Sequence, residues 1–260
     1  MKTYEELLSD IEEDIDLMGT SHTVYAGMED GRITDYDYLP SDSCTISITL
    51  KELQESLHQK LLYERASHFA MSTDKTAPKL AVIFPGIGYT VDKPLLYYSI
   101  QLARHYGYQI KSISYESLPG NIKGNSEKMK QAFDIAFKQT EQLLKDLDWS
   151  SYGEILFISK SIGTVIASAY ISKYNLVAKS ILFTPLTETF QFSLSGAIVF
   201  HGTSDPWAKT PSICTLAEQK EVPVFLIENA NHSLETEDIL NNLSILRTTM
   251  EHVKHFISGE

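Results

Sequence analysis

The sequence predicts an α/β fold in which a mainly parallel sheet carries helices on both faces. From about residue 79 onward, short apolar runs alternate with segments whose apolar residues recur at helical spacing. Most of these runs are almost continuously apolar, which is typical of strands buried on both faces. Regular alternation of strand and helix favours a parallel sheet. The predicted strands span residues 80–84, 109–114, 154–159, 180–183, 197–201 and 222–228.

The segments between the strands predict amphipathic helices. Apolar side chains recur at intervals of three and four residues through residues 129–147, and again through residues 239–257. Each of these segments presents one apolar stripe, and a helix buries such a stripe against a sheet or another helix. The strand and helix patterns therefore support the same fold class.

The first 75 residues do not follow this alternation. Residues 4–18 predict an acidic helix with one apolar stripe, and the Asp-Gly pair at 30–31 is a hairpin signal between two strand-like stretches. Isoleucine and serine alternate at residues 46–48, as on a half-buried strand. Residues 49–52 then have the spacing of a capping box that opens a second helix. The sequence predicts a small N-terminal α+β extension.

The chain carries 22 basic and 34 acidic side chains, a net charge of −12, and the acidity is concentrated at one end. Residues 1–42 contain twelve acidic and two basic side chains, which leaves −2 for the rest. Binding to a nucleic acid backbone or to an anionic membrane requires clustered lysine and arginine, so both classes of partner are excluded. We predict an acidic extension at residues 1–75, a linker at 72–78 and a second domain at 76–260.

Cysteine usage and apolar runs indicate the compartment. Cys44 and Cys214 lie far apart and match no ligand-spacing pattern, so neither a disulfide framework nor a cysteine metal site is expected. Two isolated cysteines fit a reducing compartment. No basic segment followed by an apolar one opens the chain, and no apolar run approaches the roughly 18 residues of a membrane span. We expect a cytoplasmic protein.

Ser161 lies in the motif Ser-Lys-Ser-Ile-Gly at residues 159–163, which follows a predicted buried strand and precedes a helical segment. A serine on such a sharp strand-to-helix turn is exposed at the carboxyl edge of the sheet. Small neighbours are needed because the strand and helix backbones approach closely there. The alternative is a serine that only caps the N-terminus of the helix.

Two further side chains follow later strands. Asp205 lies in His-Gly-Thr-Ser-Asp at residues 201–205, and His232 lies in Asn-Ala-Asn-His at residues 229–232. Because parallel strands end at the same edge of a sheet, we expect these two side chains to meet Ser161 there. The alternatives are an aspartate that only forms a turn and a loop histidine that bonds to the backbone.

With these motifs, residues 79–260 resemble the α/β-hydrolase superfamily, in particular its small dienelactone-hydrolase-like and carboxylesterase-like members. The resemblance rests on Phe-Pro-Gly-Ile-Gly-Tyr at 84–89, on the serine motif and on the two loops above, in the order Ser, Asp, His that this topology requires. It implies that Ser161 is the nucleophile, that His232 is the general base and then acid, and that Asp205 orients His232. About a dozen residues separate the fourth and fifth predicted strands, which leaves no room for an inserted lid.

The same resemblance implies an oxyanion hole made of backbone amides. The amide of Ile162, directly after the nucleophile, would supply one donor, and the amide of Ile87, in the loop after the first strand, would supply the other. Two positions depart from the family pattern. Ser159 stands where the family usually has glycine, and Pro85 stands where many relatives have histidine. Neither departure removes a member of the triad.

Four side chains near this edge are predicted to bind substrate: Tyr89, Lys160, Phe190 and Trp207, with Phe192 as a further wall. For the aromatic residues the alternative is ordinary loop packing. A cation beside the nucleophile would favour an anionic substrate through its local potential. The competing interpretation, which the sequence favours, is that the Lys160 side chain extends into solvent.

The sequence therefore predicts a serine hydrolase that needs no metal and no cofactor and whose partner is a small-molecule acyl substrate. A carboxylic ester of a small or medium acyl group is the expected substrate, although thioesters and amides share the chemistry. Two alternatives stay open: a non-catalytic binding or scaffold protein that uses this fold and its acidic segment, and an acyltransferase. His252 and His255 share one helix face with no third ligand in view, so no metal site is expected.

Overall fold

A computed structural model describes residues 2–29, 32–40, 45–70, 74, 76–122 and 124–259. Backbone contacts divide the chain into two units, Met1–Glu64 and Arg65–Glu260. The division therefore falls eleven residues before the predicted boundary at residue 75. The predicted Asp-Gly turn at 30–31, Cys44 and residues 72, 73 and 75 of the predicted linker lie outside the described residues.

The first unit pairs a small antiparallel sheet with two helices. The strand order is β2 (Arg32–Asp37), β1 (Thr23–Glu29) and β3 (Thr45–Thr49). Helix α1 (Tyr4–Met18) opens with a capping box in which the side chains of Thr3 and Glu6 each accept from the other's backbone amide. A second reciprocal pair, Thr49 and Glu52, opens helix α2 as predicted. The predicted α+β extension is confirmed. Its elements are α1 (Tyr4–Met18), β1 (Thr23–Glu29), β2 (Arg32–Asp37), β3 (Thr45–Thr49) and α2 (Leu50–Ser67).

The second unit is a six-stranded sheet in the order β5-β4-β6-β7-β8-β9, and every neighbouring pair is parallel. Its elements, in chain order, are β4 (Lys79–Phe84), α3 (Pro94–His105), β5 (Tyr108–Ser112), α4 (Ser126–Leu144), β6 (Glu154–Lys160), α5 (Ile162–Tyr174), β7 (Lys179–Phe183), β8 (Ala197–Gly202), α6 (Thr210–Gln219), β9 (Val224–Ile227) and α7 (Ile239–Ser258).

All six predicted strands are present, and they differ from the prediction only at their ends. The second and the last strands differ most; the last, for example, starts at Val224 instead of residue 222. Pro223 lacks an amide proton, so it offers only its carbonyl, which accepts from the amide of Val199. The predicted parallel sheet is confirmed.

Helices cover the sheet as the alternation predicts. Helices α4 and α5 pack against each other, and helices α3 and α7 do the same. A buried cluster lies under α4 and α5, and β4 and β6 contribute apolar side chains to it. Both strands are almost continuously apolar because side chains on their other face are buried as well. That cluster includes Leu80, Val82, Phe84, Ala132, Ala136, Ile155, Phe157, Val165, Ile166 and Tyr170.

The carboxyl ends of β4, β6, β7, β8 and β9 lie at one edge of the sheet, because the strands are parallel. The connection between β7 and β8 holds only a short 3₁₀ turn, Thr187–Gln191, so no lid is inserted there. Among the described residues, no helix is long and apolar enough to cross a membrane. The loops at this edge carry the side chains considered next.

Candidate active site

Ser161 occupies the turn between β6 and α5, and its backbone is strained. Its φ is 56° and its ψ is −125°, a conformation that a residue with a side chain rarely adopts. Its amide donates to the carbonyl of Phe183 at 3.0 Å, which anchors the turn to β7. Its side chain makes no capping hydrogen bond to the helix, so the capping alternative does not hold. The strain turns the hydroxyl toward the sheet edge.

Glycine is required at two places around this turn. A β-carbon on Gly163 would lie 2.3 Å from the carbonyl oxygen of Phe84, so only glycine lets α5 pack against the end of β4. A β-carbon on Gly202 would lie 2.3 Å from the carbonyl oxygen of Ala230, so glycine also brings the loops after β8 and β9 together. Both contacts are with backbone, which cannot rotate away.

The structure brings Ser161, His232 and Asp205 into one hydrogen-bonded line. His232 Nε2 lies 2.8 Å from Ser161 Oγ, and His232 Nδ1 lies 2.7 Å from Asp205 Oδ2. The second carboxylate oxygen of Asp205 accepts from the amide of Trp207 at 2.8 Å, so the predicted turn is present as well. These residues come from three separate loops and lie up to 71 positions apart in sequence.

Asp205 is held in its ionised form. Its side chain is fully buried, and burial by itself would raise its pKa. The hydrogen bonds from His232 and from the Trp207 amide, together with the charges of His232 and His201, outweigh burial and lower the pKa of Asp205. A carboxylate is therefore available to accept from the imidazole at neutral pH.

Asn231 fixes the loop that carries His232, a role that the sequence reasoning did not assign. Its side-chain oxygen accepts from the backbone amides of Ser233 and Glu235, at 2.7 and 3.3 Å. Its backbone amide donates to the backbone carbonyl of Glu235. The amide of Ser204 donates to the carbonyl of Ala230 at 2.9 Å. Asparagine often forms turns by bonding to the backbone a few residues further on. The asparagine directly before His232 in the motif Asn-Ala-Asn-His is therefore a local sequence signal for this turn.

Ile87 and Ile162, whose amides are the predicted oxyanion donors, line the same cavity as Ser161. Ile162 is the first residue of α5, so its amide has no partner within the helix and carries the positive end of the helix dipole. Among the hydrogen bonds between described residues, neither amide is used as a donor. Both donors are available to a ligand.

A cavity of about 160 Å³ opens beside Ser161 and His232. Tyr89 and Trp207 line it, and the Trp207 ring centre lies 5.5 Å from that of His232. A larger, mainly apolar cavity of about 360 Å³ lies next to it, and Phe192 belongs to that one. The two cavities share Met129, Ile162 and Leu186.

Phe190 is a correction to the prediction. Its side chain is only 3% exposed and belongs to the buried cluster with Leu182, Leu194 and Ile213, below α6. It lines neither cavity beside Ser161. The 3₁₀ turn directs this ring inward and leaves Phe192 at the larger cavity, a difference that depends on the turn geometry.

Lys160 is a second correction, because its side chain does not extend into solvent. It is 1% exposed, and its ammonium donates to Thr184 Oγ1 at 2.5 Å and lies 5.0 Å from the centre of the Tyr89 ring. Burial lowers the pKa of Lys160 to about 7, and the charge of Asp205 partly opposes that change. The lysine is therefore an internal group of the site.

The Ser159 departure from the family pattern is accommodated within the sheet. The Ser159 hydroxyl donates to the carbonyl of Ile181 at 3.1 Å, so it points along the sheet toward β7. His201 is fully buried at the end of β8, with Nε2 3.2 Å from Thr210 Oγ1. Burial lowers the pKa of His201, so this imidazole is neutral beside Asp205 at neutral pH.

The described geometry resembles that of solved structures. An esterase of Pyrococcus furiosus superposes with a TM-score of 0.50 at 13% identity, over 71% of this chain and 85% of the esterase. The chain has the α/β-hydrolase fold. A serine hydrolase without lid from Xanthomonas campestris shares this fold at 9% identity and a TM-score of 0.46, over 73% of this chain and 84% of that one.

A third similar structure is Est1E from Butyrivibrio proteoclasticus with ferulic acid bound. It is 11% identical to this chain, and the two structures align with a TM-score of 0.47 over 70% of this chain and 93% of the Est1E chain. No protein-family model and no curated protein matches the sequence. At such low identity the likeness is one of fold, and the chemistry has to be argued from the side chains of this chain.

Proposed function

We propose that the chain is a serine hydrolase that cleaves a carboxylic ester through an acyl-enzyme on Ser161. The observation that carries the proposal is the line of hydrogen bonds from Ser161 Oγ through His232 to Asp205, at 2.8 and 2.7 Å, on a strained turn. A serine hydroxyl is a weak nucleophile unless a base takes its proton during attack. The imidazole is within reach to do so.

In the first half-reaction, Ser161 Oγ attacks the ester carbonyl while His232 Nε2 takes the hydroxyl proton. The carbonyl oxygen becomes an oxyanion, which the amides of Ile87 and Ile162 would bind, each donor contributing about 3 kcal/mol to barrier lowering. The tetrahedral adduct collapses when the carbon–oxygen bond to the leaving alcohol breaks. His232 returns its proton to that alcohol, which leaves Ser161 acylated.

In the second half-reaction, water replaces the alcohol. His232 accepts a proton from the water as the water oxygen attacks the acyl carbon, and then returns it to Ser161 Oγ as the acid departs. Asp205 accepts from His232 Nδ1, which keeps the proton of the neutral ring on Nδ1, so that Nε2 can accept the proton of Ser161. The carboxylate also stabilises the imidazolium that forms. No metal or cofactor takes part in these steps.

The cavities support an ester of a small or medium acyl group as the substrate. The cavity beside Ser161 suits a small group, and the adjoining apolar cavity gives room for a longer chain beyond Met129 and Leu186. The Trp207 ring beside His232 adds an apolar wall. We propose that a linear or aromatic acyl group would enter the larger cavity.

Fluorophosphonate labelling tests the nucleophile. Wild type and Ser172→Ala are expected to be labelled and Ser161→Ala is not, because only an activated serine attacks the phosphorus atom. Ser172 is the matched control, since it is exposed and lies on the same helix α5. Equal labelling of wild type and Ser161→Ala would contradict the assignment. Absence of labelling in all three proteins would favour the non-catalytic alternative.

Val165→Phe tests the larger cavity. Val165 faces that cavity from α5, so a phenyl ring there would occupy the space proposed for a long acyl chain. We expect the ratio of kcat/KM for p-nitrophenyl octanoate to kcat/KM for p-nitrophenyl acetate to fall by about tenfold. Val177→Phe is the control, because Val177 is 63% exposed. An unchanged ratio in Val165→Phe would contradict the placement of the acyl chain.

A further inference from the structure

We propose that Lys160 and Thr184 form a positioning pair that holds the His232 loop in place and tunes the imidazole as a base. The proposal rests on the function proposed above. Neither residue touches the reacting atoms, so both would act through His232. The pair connects the end of β6, the end of β7 and the loop after β9.

Two hydrogen bonds make the connection. Lys160 Nζ donates to Thr184 Oγ1 at 2.5 Å, and Thr184 Oγ1 donates to the backbone carbonyl of His232 at 3.1 Å. Lys160 is 1% exposed and Thr184 is fully buried, so water does not compete for either bond. The position of the His232 backbone therefore depends on a side chain that starts next to the nucleophile.

Thr184 adopts an unusual backbone conformation to make this bond. Its φ is 42°, and β-branched residues rarely take positive φ values. Its amide donates to the carbonyl of Phe200 at 2.7 Å, which holds the strained residue between β7 and β8. Strained residues persist where the surrounding structure requires them, and they concentrate at functional sites. Here the conformation directs the hydroxyl at the carbonyl of His232.

The charge of Lys160 adds an electrostatic effect. Among the titratable groups at this ammonium, the charge of Asp205 acts on it and the Tyr89 ring centre lies 5.0 Å from it, while His232 lines the same cavity. Burial raises the pKa of Tyr89 to about 12, so that phenol is neutral. A cation near His232 disfavours the imidazolium and favours the Asp205 carboxylate. The lysine would therefore keep His232 unprotonated, and active as a base, at lower pH than otherwise.

The sign of the pH dependence follows from Lys160 itself. Its pKa is lowered to about 7, so the ammonium is present below about pH 7 and is lost above it. An ammonium only donates hydrogen bonds, which leaves the Thr184 hydroxyl proton for the carbonyl of His232. The electrostatic effect is greatest at and below neutral pH, where protonation of His232 limits catalysis. A neutral amine can still donate to Thr184, so the hydrogen-bond effect is similar on both sides of pH 7.

The test compares Lys160→Met, Thr184→Val and the double variant, with p-nitrophenyl acetate as substrate. Each single variant is expected to lower kcat about tenfold while KM changes less than about twofold. The loss in Lys160→Met grows as the pH falls from about 8 to about 6, whereas the loss in Thr184→Val does not. The double variant loses less than the product of the two single losses, because both remove one connection. Thr184→Ser restores most of the lost rate.

Two controls separate this role from a structural one. Lys138→Met removes an exposed lysine of α4 and is expected to leave the pH profile unchanged. Thermal unfolding of every variant shows whether a loss of rate is a loss of folded protein. Equal losses at all pH values in Lys160→Met, or multiplicative losses in the double variant, would overturn the proposal.

A proton NMR titration of His232 needs no turnover, so it separates this proposal from the proposed function. The His232 resonance is assigned by its absence in His232→Gln. In Lys160→Met its titration midpoint is expected to move up by roughly half a pH unit or more. An unmoved midpoint would overturn the electrostatic part even in an active enzyme. A moved midpoint in a protein that fluorophosphonates do not label would support the pair and contradict the hydrolase.

Discussion

His232→Gln is expected to lower kcat/KM for an activated ester by about 10⁴-fold or more. Glutamine keeps a polar group of similar reach, but it cannot take a proton from Ser161 at neutral pH. The 2.8 Å contact between Ser161 Oγ and the imidazole would then become an ordinary hydrogen bond. The amides of Ile87 and Ile162, which we propose as oxyanion donors, and the cavity remain in the variant, so the residual rate measures what they contribute without a base.

Steady-state kinetics across the pH range give the measurement. Wild-type activity is expected to fall on the acid side as His232 gains a proton, and the residual activity of His232→Gln lacks that limb. His105→Gln is the control, because His105 is exposed on α3. A variant with more than about a tenth of the wild-type rate, or with the same acid limb, would contradict the assignment of the base.

The sequence was sufficient to predict the layers of the fold because the signals are local. The near-continuous apolar runs of β4 and β6 specify strands buried on both faces, and each is buried along most or all of its length. The predicted capping pair of Thr49 and Glu52 is likewise contained within four residues. Such patterns depend on neighbours in sequence, so they can be recognised without knowledge of the tertiary structure.

The orientation of Lys160 could not be predicted in the same way. On sequence alone a lysine beside a surface turn extends into solvent. Its burial comes from Thr184, 24 residues further along the chain, and from the ring of Tyr89, 71 residues before it. Thr184 gives no sequence signal beyond its place at the end of a strand. The orientations of the Lys160 and Thr184 side chains therefore depend on packing between segments that are distant in sequence.

Phe190 and the domain boundary have similar explanations. Phe190 and Phe192 are two residues apart, yet Phe190 is buried and Phe192 lines the larger cavity, because the 3₁₀ turn directs the two side chains differently.

The boundary at Glu64 falls inside helix α2. Beyond it, Lys179 Nζ donates to the carbonyl of Ser67, which ties the end of that helix into the second unit. The predicted boundary at residue 75 was based on charge and composition, and neither of them can reveal a hydrogen bond between residues this far apart in sequence.

Gly163→Ala is expected to destabilise the protein by about 2–3 kcal/mol, against the effect of helix propensity. Gly163 lies in the first turn of α5, where alanine is intrinsically the better helix former by about 1 kcal/mol. The added methyl group would, however, lie 2.3 Å from the carbonyl oxygen of Phe84 and 2.6 Å from that of Pro85. Both are backbone atoms of the end of β4 and the loop that follows, so the helix or the loop must move.

Chemical denaturation of Gly163→Ala and Gly120→Ala gives the comparison. A β-carbon on Gly120 meets nothing within 4 Å, so that variant is expected to stay within about 0.5 kcal/mol of wild type. A stabilised Gly163→Ala would mean that helix propensity wins and that the contact with β4 relaxes freely. A shift of helix α5 or of the loop after β4, made to accommodate the methyl group, would also move Ile87 away from Ser161. A 1 Å misplacement of a donor costs about 10²-fold in rate. Folded Gly163→Ala should therefore lose activity as well as stability, whereas Gly120→Ala loses neither.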